Sequence, residues 1–463
     1  MGLGLKEVIM SFKGAVHFIA IGGIGMSALA KILLSMGYKV SGSDVQESAV
    51  VQQLRELGAT IHIGHDAGNV PEDCGEIIYS TAIRDDNPEV LRGREMGIPI
   101  VHRGELLARL FNGGRGLAVA GAHGKTTTSA MLALIYYLEK LEPNIVLGGI
   151  LPAIGSNALK GDSDVWVVEA DESDGSFLKL HPHRTIVTNI EPEHMNYYKS
   201  EENLENAFYR FANQSEDLIL CLDDRRTREL AEKLDRDFHS YGLEHRAVDL
   251  TVKNIRQQGL SSDAEVWYKG ERVAELHLRV PGLHNISNAL AAMYAAYLGG
   301  ISFENAARAL GEFTGTGRRF EILYDRDGIV LVDDYAHHPT EVKATIKAAK
   351  DGGFERVIAV FQPHRYSRVQ ELYKEFGASF GDADVIIIDD IYSAWEDVIP
   401  DITSELIVEE IRKHGLEPLY FGDKEKMVRY LQKEKKRGDI LLMMGAGNIR
   451  KTSEQLRDLL LGE

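Results

Sequence analysis

The run Gly121-Ala122-His123-Gly124-Lys125-Thr126-Thr127-Thr128 sets two glycines, a lysine and three hydroxyls in one short stretch. An apolar segment, Leu117 to Ala120, leads into it, and Met131, Leu134, Ile135 and Leu138 follow at helical spacing. Strand, turn and helix in that order leave the first backbone N–H groups of the helix without partners, facing whatever lies in front of them. Gly121 and Gly124 let backbone approach an anion, Lys125 adds a point charge, and the Thr126 hydroxyl can reach a magnesium ion. Val119 stands where the longer form of such a phosphate loop begins with glycine. The stretch predicts a nucleotide-phosphate site; the competing reading is a glycine-rich turn with a solvated lysine.

Four further groups of residues could do chemistry. The apolar run Val165 to Val168 ends in Glu169-Ala170-Asp171-Glu172-Ser173-Asp174. An acid at such a strand tip commonly holds the magnesium of a nucleoside triphosphate, which assigns Glu169, while Glu172 and Asp174 read as solvated loop acids. His194 follows the strand Thr185 to Ile190, at the sheet edge where ligands bind, and is predicted as a second metal ligand. In His284-Asn285-Ile286-Ser287-Asn288, Asn288 suits either an adenine edge or a helix cap. Gly23, Gly25 and Ala28 fit a dinucleotide fingerprint, and Asp44 closes the next strand where a ribose is usually held. That pattern signals a pyrophosphate, of NAD or of another nucleotide.

The elements that must position these residues alternate strand and helix, so the chain reads as α/β with three domains. A Rossmann-like N-terminal domain is predicted over 1–111, a central P-loop ATPase-like domain with a mixed sheet over 112–318, and a Rossmann-like C-terminal domain over 319–463. Glycine-rich joints at Phe111 to Gly116 and Gly315 to Phe320 mark the boundaries, and Lys269-Gly270 reads as a hairpin turn. In the last domain, strands are predicted at Ile329 to Asp333, Arg356 to Phe361, Val385 to Asp389 and Ile440 to Met444. Polar clusters follow the first two, Asp333 to Pro339 and Gln362 to Arg368. If those two strands are neighbours, His337, Arg365 and Arg368 converge on one pocket, where arginine forks suit a carboxylate. The length of 463 residues fits about three domains. A formal net charge of -18 argues against broad binding to nucleic acid or anionic membrane. Two cysteines far apart, Cys74 and Cys221, fit a reducing cytoplasm, and the opening residues around Lys6 lack a long apolar core with a cleavage site.

The phosphate loop, Glu169 to Asp174, Thr188 to His194, His284 to Asn288, Asp333 to Glu341 and Phe361 to Arg368 together resemble the Mur ligases, in order over nearly the whole chain. The resemblance implies ATP-driven joining of L-alanine to the lactyl carboxylate of UDP-N-acetylmuramate through an acyl phosphate, giving ADP and phosphate. It assigns the UDP sugar, and no NAD, to Gly23, Ile24, Gly25, Met26, Ser27, Asp44 and Ser80. It places ATP on Gly121, Gly124, Lys125, Thr126 and Thr127, with His284, Asn288, Arg319 and Asp334 as further contacts. Mg2+ falls to Thr126, Glu169 and His194, and the substrates to His123, Tyr335, His337, Arg365 and Arg368. Lys125, Glu169, His194 and His337 become the catalytic set. A cytoplasmic monomer or homodimer is expected, with no nucleic-acid or membrane partner. Addition of a tripeptide to the same UDP sugar is the alternative reaction, and an NAD-binding protein with a degenerate ATPase module the alternative class. Sister ligases carry a carbamoylated lysine after the histidine; Ser200 to Asp217 contains no lysine, so none is expected.

Overall fold

The computed structural model describes residues 13–245 and 247–462; the stretch around Lys6 lies outside them. Its first sheet is wholly parallel, in the order Thr60–Ile63, Val40–Asp44, Ala15–Ile19, Cys74–Tyr79, Ile100–His102. All residues of Ala15–Ile19 and Val40–Asp44 are buried, as expected where helices cover both faces of a parallel sheet.

Among the described residues the central sheet has ten strands. Arg115–Ala120 lies between Arg184–Val187 and Val165–Glu169, all parallel, so the phosphate loop and the two runs after those strands leave the same sheet edge. Asn144–Leu151 pairs parallel to Val165–Glu169 and antiparallel to Ser156–Leu159, which makes the sheet mixed. The other side runs through Asp217–Cys221, His239–Tyr241, Leu250–Gln258, Ser261–Tyr268 and Glu271–Leu278. Lys269 and Gly270, with φ of 49° and 88°, turn the final hairpin as the sequence predicts.

The C-terminal sheet runs Glu321–Arg326, Ile329–Asp334, Asp439–Met444, Arg356–Phe361, Val385–Asp389, Leu419–Phe421, parallel except at its first strand. Two short edge strands and the helix Lys424–Glu434 add to the predicted elements. The condition that Ile329–Asp334 and Arg356–Phe361 are neighbours fails: Asp439–Met444 lies between them. All six residues of that last strand are buried, and pairing order is set by how whole layers pack, which local pattern does not encode.

The chain divides into two compact units. One comprises the chain up to Val252 with Val266–Ala274 and Ser287–Leu310; the other comprises Lys253–Glu265, Glu275–Ile286 and the chain from Gly311 on. Among the described residues no helix is long and apolar enough to cross a membrane.

Candidate active site

In the first unit the phosphate loop is fixed from both sides. Gly121 has φ of 137°, and a β-carbon there would sit 2.1 Å from Thr188 Oγ1. Gly124 caps the helix Lys125–Leu138 with φ of 81°, and its β-carbon would lie 2.5 Å from Asn288 Oδ1. Both positions need glycine for backbone angle and for space. The strand end beyond Val187 laces the loop: the Ala122 N–H donates to Asn189 O at 3.1 Å and the His123 N–H to Asn189 Oδ1 at 2.8 Å. The Thr188 hydroxyl donates to His123 O at 2.6 Å, and the His123 ring meets Glu191 at 3.0 Å. Thr126 is buried and Thr127 half-buried at the helix start. Asn288 does not cap its helix, which begins at Leu283; its Oδ1 accepts from the Thr128 hydroxyl at 3.1 Å and so braces the phosphate loop.

Lys125 contacts Gly121 O at 2.5 Å, Ala122 O at 3.1 Å and the Glu172 carboxylate at 2.9 Å. Burial works against its charge, but Glu172, Glu169 and Asp171 outweigh that and lift its pKa above the ordinary lysine value. The expectation that Glu172 and Asp174 are solvated loop acids is wrong. Glu172 is 2% exposed, and burial raises its carboxyl to about 7 while Lys125 pulls the other way. Asp174 is folded against Arg103 at 3.4 Å and His102 at 3.5 Å. The turn after Glu169 doubles back onto the loop, so acids that look like surface in the sequence end beneath it. Glu169 itself accepts the Gly148 N–H at 2.9 Å.

His194, at φ of 59°, brings Nε2 to 3.7 Å from Glu172 and 3.6 Å from Glu193. Ligand atoms of Glu172, Glu193 and His194 all lie within 4.8 Å of one another, a donor set of hard oxygens and one imidazole suited to a divalent cation. The structure thus gathers His194 with Glu172 and Glu193, two residues that the sequence reading left out of the metal set.

The N-terminal glycine loop belongs to the same unit. Gly23 precedes the helix Ile24–Ser35. Met26 lies in the hydrophobic core, so its backbone N–H is what it can offer a ligand. The Ser27 hydroxyl donates to Ile24 O at 3.1 Å, and Asn157 Nδ2 donates to that same oxygen at 2.7 Å. Asp44 accepts the Gly22 N–H at 2.8 Å, and Ser80 is half-buried at the end of Cys74–Tyr79. Sequence reading missed Arg103. Its Nη2 donates to Asp171 at 2.7 Å, and its Nη1 borders Gly25, whose β-carbon would be 3.3 Å away. Burial would raise the Asp171 carboxyl, yet Arg103 and Lys125 hold it down at about 2. Its place just after Ile100–His102, at a carboxyl strand end, was the available signal.

In the second unit the two polar clusters meet although their strands do not touch. The His337 and His364 rings lie 6.0 Å apart, reaching over the intervening strand. Arg318 and Arg319 stack on Tyr335 at 4.9 and 5.1 Å from its ring centre. His337 Nδ1 meets Tyr335 O at 2.9 Å and Glu341 at 3.2 Å, and Glu341 also pairs with Arg319 at 3.1 Å. Arg368 reaches His364 Nδ1 at 3.3 Å, and Arg365 is exposed at φ of 70° with its N–H on Tyr392 O at 2.8 Å. Burial, then His337, Arg368, Arg365 and Arg318, hold the His364 pKa down at about 3, the mark of a cation-rich pocket. Asp334 is buried and accepts the N–H groups of Phe320 and Ala336 at 2.7 Å each, with its carboxyl raised by burial to about 6. His284 sits exposed on the first turn of Leu283–Leu298.

Comparison with known proteins gives the same succession. Residues 15–115 match the Mur ligase family catalytic domain, 119–296 its middle domain and 318–447 its glutamate ligase domain. The UDP-N-acetylmuramate–L-alanine ligase of Carboxydothermus hydrogenoformans is 45% identical over 445 residues, 96% of each chain. That of Pelotomaculum thermopropionicum is 47% identical over 444 residues, 95% of this chain and 96% of its own. The crystal structure of the UDP-N-acetylmuramate-alanine ligase from Thermotoga maritima superposes with a TM-score of 0.84 at 30% identity, covering 97% of this chain and 99% of that one. A murein peptide ligase from Psychrobacter arcticus shares the fold, with a TM-score of 0.71 at 22% identity over 96% of this chain and 98% of its own. A lysine-bearing glycine loop braced by a distant asparagine, a second glycine loop at a helix start and a separate cationic pocket are thus arranged along a chain that belongs to the Mur ligase family.

Proposed function

We propose that the protein joins L-alanine to the lactyl carboxylate of UDP-N-acetylmuramate, using ATP and releasing ADP and phosphate, as a step in building peptidoglycan precursors. The observation that carries this reading is the 45% and 47% identity, over nearly the full length, to relatives whose names state that reaction. The use of ATP places the reaction in the cytoplasm.

A carboxylate is a poor acyl donor until one oxygen becomes part of a phosphate leaving group. The lactyl carboxylate attacks the γ-phosphorus of ATP, ADP departs, and an acyl phosphate forms. The amine of L-alanine then adds to the acyl carbon, and the tetrahedral intermediate collapses with loss of phosphate. Lys125, with the N–H groups at the start of Lys125–Leu138, is assigned to the charge that builds on the transferring phosphoryl. Thr126, Glu169 and His194, with Glu172 and Glu193 beside the histidine, fit Mg2+, which when bound offsets triphosphate charge. The amine must lose a proton. His337 engages Tyr335 O through Nδ1, which leaves Nε2 as the ring atom to take up a proton, and we assign it that one. Arg365 and Arg368 are assigned to the alanine carboxylate.

Phosphate release from ATP, measured with UDP-N-acetylmuramate and with L-alanine, glycine, L-serine or L-Ala-γ-D-Glu-diaminopimelate in turn, tests the reading. Release should depend on both substrates and be fastest with L-alanine. Preference for the tripeptide would make this the recycling ligase instead.

A further inference from the structure

One arginine joins the two anion sites of the first unit. Arg103 opens the helix Arg103–Phe111, and its Nη2 donates to Asp171 at 2.7 Å and Asp174 at 3.4 Å. Its Nη1 borders Gly25, at the first turn of the helix whose N–H groups face the UDP-sugar site. Glu172, between the two aspartates, holds Lys125 of the phosphate loop at 2.9 Å. The turn that carries all three acids is stiff. The Ser173 N–H donates to Asp171 at 3.0 Å, the Ser176 N–H to Asp174 at 3.0 Å, and the Tyr198 hydroxyl to Glu172 O at 2.6 Å. What happens to Arg103 therefore bears on the partner of Lys125.

A diphosphate at the glycine loop competes with Asp171 and Asp174 for the same planar donors, and phosphate oxygens match a guanidinium fork as well as carboxylates do. We infer that Arg103 exchanges Asp171 and Asp174 for the diphosphate of the bound UDP sugar, and so couples filling of that site to the phosphate loop. Once Arg103 turns away, the two aspartates face Lys125 without their cation, and the turn attracts a magnesium-bearing nucleotide more strongly. A side chain that only glued the two sheets together would do neither. The inference rests on the UDP-sugar reading of the glycine loop.

Calorimetry on the full-length chain with uridine, UDP and a magnesium complex of a non-hydrolysable ATP analogue tests it. The wild type should bind UDP about tenfold or more tighter than uridine, and Arg103→Gln should erase most of that ratio while the uridine Kd stays put. Saturating UDP should tighten the nucleotide by about fivefold or more in the wild type and leave it unchanged in Arg103→Gln. Asp171→Asn removes the short partner of Arg103 without touching either glycine loop. It should strengthen UDP binding and shrink the coupling, and it carries the test alone if Arg103→Gln does not fold. An unchanged UDP-to-uridine ratio in Arg103→Gln, or unchanged coupling in Asp171→Asn, overturns the inference and leaves the substrate reading standing. Failure of the wild type to bind UDP or UDP-N-acetylmuramate overturns both.

Discussion

Lys125 is encircled by oxygens: two loop carbonyls and a carboxylate at 2.5 to 3.1 Å. Three acids keep it charged against the cost of burial, so it is a fixed cation at the start of its helix, as the proposed role requires. Lys125→Ala should lower kcat for phosphate release by about 10²–10³ with the melting temperature nearly kept, because an interaction that grows in the transition state is lost. Near wild-type turnover would remove the loop from the chemistry. The glycines were legible because local backbone geometry demands them, and Lys125 because it follows them at the helix start. Glu172 was not, since its burial depends on how the turn after Val165–Glu169 folds back under the loop. Asn288 was legible as a polar residue of note, but its contact with Thr128 spans far too much sequence for spacing to reveal.

At the scale of elements, the cationic pocket proposed for the acceptor is made by two strand-end segments that lean over a third strand. The sequence predicted both segments, and four of the six strands described in that sheet, but their meeting was conditional on the two strands being neighbours, which they are not. A strand from the chain's end slips between them, and nothing in alternation of apolar residues gives pairing order. The pocket still closes, through the His337–His364 contact and the stack of His364 on Tyr392 at 5.8 Å. Replacing Arg368 by lysine should raise the KM for L-alanine by about tenfold or more with little change in that for ATP, since the ammonium loses the bidentate fit. A lowered melting temperature with unchanged KM would make the arginine a structural brace. The pocket also has an acid signature. With its folded pKa at about 3, below the ordinary 6.5 of histidine, His364 binds fewer protons in the folded than in the unfolded chain between those values. Its contribution to stability is therefore lost as pH falls from 6.5 towards 3. His364→Gln should flatten that part of the melting temperature against pH, and an identical slope in both proteins would refute the burial of a neutral imidazole among cations.

At the scale of the whole molecule, the first sheet and its glycine loop suit an NAD enzyme as well as a UDP-sugar ligase, because the fold fixes a diphosphate-binding helix end and not the nucleotide. One contact bears on the choice, the cation beside Gly25. Asp44 accepts the Gly22 N–H at 2.8 Å and the Gln46 N–H at 3.3 Å, one on each carboxylate oxygen, which leaves acceptor capacity for a ribose and so does not decide between the two readings. The space beyond Gly25 holds the Arg103 guanidinium, which itself belongs to a carboxylate network of the central sheet's turn. The helix start is held to that sheet as well, by Asn157 on Ile24 O at 2.7 Å and by Lys31 on Asn157 at 2.9 Å. A diphosphate bound at this helix start would lie against that cation, and the UDP sugar is the ligand we expect there. Calorimetry should show UDP-N-acetylmuramate binding and NADH not binding at equal concentration. Gly25→Val should weaken the UDP sugar by about tenfold or more, since a β-carbon alone would stand 3.3 Å from Arg103 Nη1 and two methyl groups would reach further into the same space. Tight NADH binding that Gly25→Val abolishes would return the first domain to the dehydrogenases, whatever the rest of the chain resembles.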